Sequence, residues 1–207
     1  MIRRLFMKTT PLDRILLLFT GLLAAYQIAV GIDDFGALPV IAYTIAFGVL
    51  LVAGLLLIIW GFDILESPVV VIVSTVIPLA LSLGLVWQYL VSLQSLYLVF
   101  AILGFLAITL TRAVPAQGKL ATIVLAFVHG IAGLTIFLLP IVLAVQGKVH
   151  PLFSLVGVGG ALIGVGGLAL SFLKAGKPIL SKELIFKILS AILFLMTLCF
   201  VIGFKYG

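Results

Sequence analysis

The chain has 207 residues, of which 65% are hydrophobic and 9% charged, a composition that excludes an ordinary soluble domain and requires lipid as its solvent. A net charge of +6 would suit nucleic acid in a soluble protein, but here the bases need only face anionic headgroups, so no nucleic-acid partner is expected. The single cysteine, Cys199, excludes an internal disulfide, a cysteine-based zinc site and an iron-sulfur cluster ligated by this chain alone.

A helix rises about 1.5 Å per residue and the hydrocarbon layer is about 30 Å thick, so about 20 apolar residues make one crossing. On that measure the uncharged runs predict an all-α, polytopic transmembrane helical bundle in a single domain over 1–207. Its seven helices fall at 12–32, 38–60, 68–88, 93–111, 120–145, 151–173 and 183–204. The first eight residues alternate Ile2, Leu5 and Phe6 with Arg3, Arg4 and Lys8, a pattern suited to a short segment lying on anionic lipid. Helix 1 is read as retained rather than as a cleaved leader, because its apolar run leads to Tyr26, Gln27 and Asp33 without a small-residue cleavage site. Thr10, Pro11 and Asp13 read as its N-cap, N1 and N3.

Ser67 and Pro68 open helix 3, and Pro151 and Ser181 play similar parts for helices 6 and 7. The uncharged run from Ser67 to Thr111 is too long for one crossing and turns at Trp87 to Ser95, where Gln88, Tyr89, Ser92, Gln94 and Ser95 gather. With seven crossings, ten bases (Arg3, Arg4, Lys8, Arg14, Arg112, Lys119, Lys174, Lys177, Lys182 and Lys187) share one side and only Lys148 and Lys205 face the other. That asymmetry predicts a cytoplasmic N-terminus and an external C-terminus, most simply in a bacterial or archaeal plasma membrane. A re-entrant hairpin of helices 3 and 4 would keep the same alternation with five crossings. A division into three, one and three helices finds no matching text, and Pro78 and Pro140 do not correspond under it.

Helix 6 carries small residues at alternating spacings of three and four: Gly157, Gly160, Gly164, Gly167 and Ser171. In lipid, apolar burial gives no net drive, and such a stripe lets another backbone approach closely. Packing within the bundle is the plain reading and docking of another subunit the functional one. His129 lies near the middle of helix 5, on a face with Thr122, Ala126, Gly133 and Pro140. An ionisable group at that depth is a functional candidate. It can bond a helix carbonyl, or else ligate heme or a chlorophyll-type pigment, or bond a quinone. Helical rise separates it from His150 by about 25 Å, so the two cannot share a metal.

Pro78 and Pro140 each free the carbonyl four residues back, at Ser74 and Ile136. Ser74, Thr75, Ser82 and Thr135 are the hydroxyls expected to re-satisfy these; Ser74, Thr75, Pro78, Thr135 and Pro140 mark a candidate polar pocket, with Gln27, Tyr43, Thr44, Ser190 and Thr197 as candidate further lining. Beyond the opening residues Asp13, Arg14, Glu183 and Lys187, no Asp, Glu, Lys or Arg falls inside a proposed span, which argues against proton pumps, voltage sensors and intramembrane aspartic proteases. A retinal protein needs a Schiff-base lysine deep in its last helix, and Lys187 lies at that helix's start. Three functions remain. The first is a non-enzymatic integral membrane subunit of a larger, for instance bioenergetic, complex that packs through helix 6 against other membrane subunits. The second is a transporter or channel for a neutral solute, and the third an intramembrane heme, pigment or quinone protein centred on His129.

Overall fold

The computed structural model describes residues 9–32, 35–113, 118–174 and 180–207. Among these there are seven α-helices and no strand: α1 (Pro11–Val30), α2 (Ala37–Trp60), α3 (Pro68–Tyr89), α4 (Gln94–Ala113), α5 (Gly118–Val145), α6 (Ser154–Lys174) and α7 (Lys182–Phe204). Six of them are long and apolar enough to cross a membrane, and the protein is an integral membrane helical bundle. α6 has an apolar stretch that is shorter over the residues searched, Pro151–Gly167, although its backbone runs for 21 residues. α3 and α4 are 22 and 20 residues long, so each has spanning length rather than the half-length of a re-entrant arm.

The helix starts follow from local chemistry. The Thr10 hydroxyl accepts from Asp13 N at 3.2 Å while Asp13 Oδ2 accepts from Thr10 N at 2.8 Å, the reciprocal capping box that satisfies two otherwise orphan donors. Ser181 accepts from Leu184 N at the start of α7. Ser67 makes no side-chain cap, so α3 relies on Pro68 at its first position. Pro151 opens a 3-10 turn, Pro151–Phe153, and α6 begins only at Ser154. The turn between α3 and α4 is a second 3-10 segment, Val91–Leu93, closed by Gln94 Nε2 donating to Trp87 O at 2.8 Å.

The helices touch in a cyclic order, α1, α2, α3, α5, α6, α7 and back to α1, while α4 lies outside this ring against α3 and α5. Two consecutive trios, α1–α3 and α5–α7, therefore meet along the α1/α7 and α3/α5 seams. We call the end where α1 begins proximal and the opposite end distal.

Small residues set the seams. A Cβ built on Gly54 would lie 3.5 Å from Leu17 O, one on Gly159 would lie 3.0 Å from Met196 O, and one on Gly203 would lie 2.8 Å from Val156 N. These are the close backbone approaches that hold helices together in lipid. Gly84 has a special role, because its missing Cβ is where the Tyr43 ring sits, 2.5 Å from Cε1.

Candidate functional site

The buried serine and threonine hydroxyls are spent on the protein itself. Thr20, Thr75, Ser82, Ser190 and Thr197 are all fully buried. Thr20 donates to Leu16 O at 2.9 Å, Thr75 to Val71 O at 2.8 Å, Ser82 to Pro78 O at 2.6 Å and Thr197 to Leu193 O at 2.7 Å. Ser74 also donates to Val71 O, and Thr135 to Ile131 O. The carbonyls that Pro78 and Pro140 free are thus not the ones these hydroxyls reach. A Ser or Thr side chain in a helix bonds back three or four residues, so Ser74 O is within reach of positions 77 and 78, which are Ile and Pro, and Ile136 O of 139 and 140, which are Leu and Pro.

Two polar links between helices are not local and escaped sequence reasoning. Ser190 on α7 donates to Asp13 Oδ1 on α1 at 2.6 Å, and Thr10 donates to the other oxygen at 2.7 Å. The N3 residue of the capping box, itself buried, is therefore also a clamp between the trios. Tyr97 on α4 donates to Thr135 on α5 at 3.2 Å and lies beside Ser82 on α3. Of the expected hydroxyls, Ser82 and Thr135 enter this three-helix knot. Gln27 turns back to donate to Gly31 O at 2.7 Å.

The glycine stripe divides into two unlike halves. A Cβ on Gly157 would meet Phe137 O at 2.5 Å, and one on Gly160 would meet Ile136 Cγ2 at 2.8 Å and Phe137 N at 3.1 Å. This distal half is seated on the α5 backbone. Continuing proximally, a Cβ on Gly164 or Gly167 would meet nothing within 4 Å, and the same is true of Gly130 and Gly133 on α5. Since α5 and α6 run antiparallel with Gly157 against Phe137, helical periodicity brings Gly133, Gly130 and His129 opposite this second half. We call this face of α5 and α6, open beside the glycines among the described residues, the cleft. Ser171, the last residue of the stripe, has a side chain outside the described residues.

His129 stands on the α5 wall of that cleft, partly exposed. Its Nδ1 is shut off from solvent and makes no well-formed hydrogen bond among the described residues, although the Leu125 carbonyl one turn back is close by. The guanidinium of Arg112, at the end of α4, is within electrostatic reach and has its own buried, unpartnered Nε. Among the described residues no three His, Cys, Asp or Glu side chains gather as metal ligands. His129 can offer a single nitrogen. His150 lies beyond the distal end of α5, where it stacks on Tyr206 at 4.8 Å between ring centroids.

No protein-family model, curated protein or solved structure matches the chain. The residues themselves carry the functional argument.

A groove of about 370 Å³ lies over α3 between α2 and α4, lined entirely by apolar side chains such as Ile41, Ala80, Ala101 and Phe105. It has the character of the surrounding lipid.

Proposed function

We propose that this chain is a non-enzymatic membrane subunit whose α5/α6 cleft receives a transmembrane helix of another chain. The observation that carries the reading is the contrast within one stripe: Gly157 and Gly160 are packed against α5, whereas Gly164 is exposed and open. A helix pays about 1 kcal/mol for glycine in place of alanine, and in lipid the return is close approach of a second helix. At Gly130, Gly133 and Gly164 no described atom of this chain lies within 4 Å of where a Cβ would stand. The distribution of ten bases against two supports a cytoplasmic proximal end, in a bacterial or archaeal plasma membrane.

The test is purification of the tagged protein from its native membrane in mild detergent, with a native gel and mass spectrometry of the accompanying chains. Gly164→Leu should release the partner, while Val165→Leu, at a neighbouring exposed position, should retain it. Unchanged co-migration of Gly164→Leu would sink the docking face. A second reading, a heme, pigment or quinone in the same cleft, is favoured by the unpartnered Nδ1 of His129. An absorbance spectrum of the same fraction separates the two, since a pigment band that disappears in His129→Leu supports the cofactor. Transport of a neutral solute is the less supported reading, because the buried serine and threonine hydroxyls are already bonded within the bundle.

A further inference from the structure

Positive charge at the proximal end of α4 has no acid of this chain to balance it. Arg112 stands in the last turn of α4, and the sequence has no aspartate or glutamate between Glu66 and Glu183. α4 packs against α3 and α5, and all three helices fall within that acid-free stretch. The acids lie elsewhere. Asp13 is held by Ser190 and Thr10, Asp33 and Asp34 fall between α1 and α2 in sequence, Asp63 and Glu66 belong to the turn that packs on α2 and α3, and Glu183 is in the first turn of α7.

The direction of the side chain makes this charge matter. Side chains lean toward the N-terminus of their own helix. α4 and α5 run antiparallel, with Gly104 against Val128, so Arg112 leans distally, into the bilayer, and His129 leans proximally, toward it. The guanidinium is within electrostatic reach of the imidazole, and its Nε is buried. The C-terminal dipole of α4 offsets about half of one charge, which leaves a net cation below the proximal surface. Charged groups within membrane spans pair with one another.

The docking cleft adjoins this charge. Thr122 and Ala126, on the same face of α5 as His129 and proximal to it, are exposed, and a Cβ on Gly130 or Gly133 would meet no described atom within 4 Å. A lipid phosphate lies at the membrane surface, whereas a carboxylate carried on a helix can stand at the depth to which Arg112 leans. We infer that the helix received by the α5/α6 cleft carries an aspartate or glutamate in its proximal half, and that this carboxylate pairs with Arg112 beside His129. The inference rests on the docking reading and adds the chemistry of the partner.

A photo-reactive phenylalanine derivative in place of Thr122, activated in native membranes, tests it through the peptide that it captures. Mass spectrometry should identify a transmembrane segment of another chain with an Asp or Glu in its proximal half. Arg112→Gln should weaken retention of that chain on the native gel by roughly 10- to 100-fold, the scale of a hydrogen bond to a charged group, while Arg112→Lys retains it. Exchange of the charges, Arg112→Glu together with arginine in place of the partner's acid, should restore retention. A captured segment with no acid in its proximal half overturns the inference and leaves the docking reading standing, whereas unchanged co-migration of Gly164→Leu overturns both. Full retention of the partner by Arg112→Gln overturns the inference whatever is captured. So does loss of a co-purifying anionic phospholipid from Arg112→Gln with the partner retained, since the anion is then a headgroup.

Discussion

Gly157→Ala places one methyl group where α6 lies on the α5 backbone. The new Cβ would stand 2.5 Å from Phe137 O and 2.7 Å from Ile141 Cγ1, about 1 Å inside ordinary contact. A flexible side chain could swing aside, but a carbonyl oxygen held in a helix cannot. The helices must move apart, and that also unseats Gly160 from Ile136 and Phe137. Overpacking of this kind costs about 1–3 kcal/mol, and alanine returns up to about 1 kcal/mol of helix propensity, so the expected net loss is about 1–2 kcal/mol. Gly164→Ala has the same chemistry in open space, and should be neutral or slightly stabilising in the isolated chain. Equilibrium unfolding in mixed detergent micelles, run on both variants and the wild type, reads the difference. Equal effects at the two positions would refute the division of the stripe.

Ser190→Ala removes one of three donors to the buried Asp13 carboxylate and should cost about 2 kcal/mol, the scale of a hydrogen bond to a charged group. In a double-mutant cycle with Asp13→Asn the two losses should fall well short of additive, and strict additivity would show that the clamp contributes nothing. Tyr97→Phe removes the hydroxyl joining α4 to Thr135 and should lower stability by about 1 kcal/mol. An unchanged unfolding curve would mean that α4 is held by apolar packing alone.

What was legible in the sequence is what depends on neighbours along the chain. The capping box at Thr10 and Asp13 needs residues three apart, and it forms as expected. The spans needed only uninterrupted apolar length, and each predicted boundary lies within three residues of the observed one. The Asp13–Ser190 bond joins residues 177 apart, and no pattern in either helix announces the other. The same is true of Tyr97 with Thr135, and of the Tyr43 ring, which meets Phe35 and Phe204 at 5.7 and 4.5 Å between centroids. The glycine stripe is an intermediate case. Spacing places five small residues on one face of α6, but which of them meet α5 depends on how two helices diverge, and that is a property of the assembled bundle.

Glycine use along the seams makes the open cleft informative. Gly54 lets α2 approach α1, Gly84 seats the Tyr43 ring of α2 on α3, Gly104 meets Val128 across the α4/α5 seam, Gly157 and Gly160 meet α5, and Gly159 and Gly203 meet across α6/α7. At each of these positions the absent side chain is filled by a neighbouring helix, so the conformational cost of glycine is offset by packing. Gly31 and Gly147 have another reason, since their positive φ of 72° and 68° disfavours other residues. Gly130, Gly133 and Gly164 have neither justification among the described residues, and nor has Gly48 on α2: they sit inside helices, and a Cβ at each would meet no described atom within 4 Å. If a second chain supplies that contact in the cleft, Gly130, Gly133 and Gly164 follow the rule that governs the seams of the bundle.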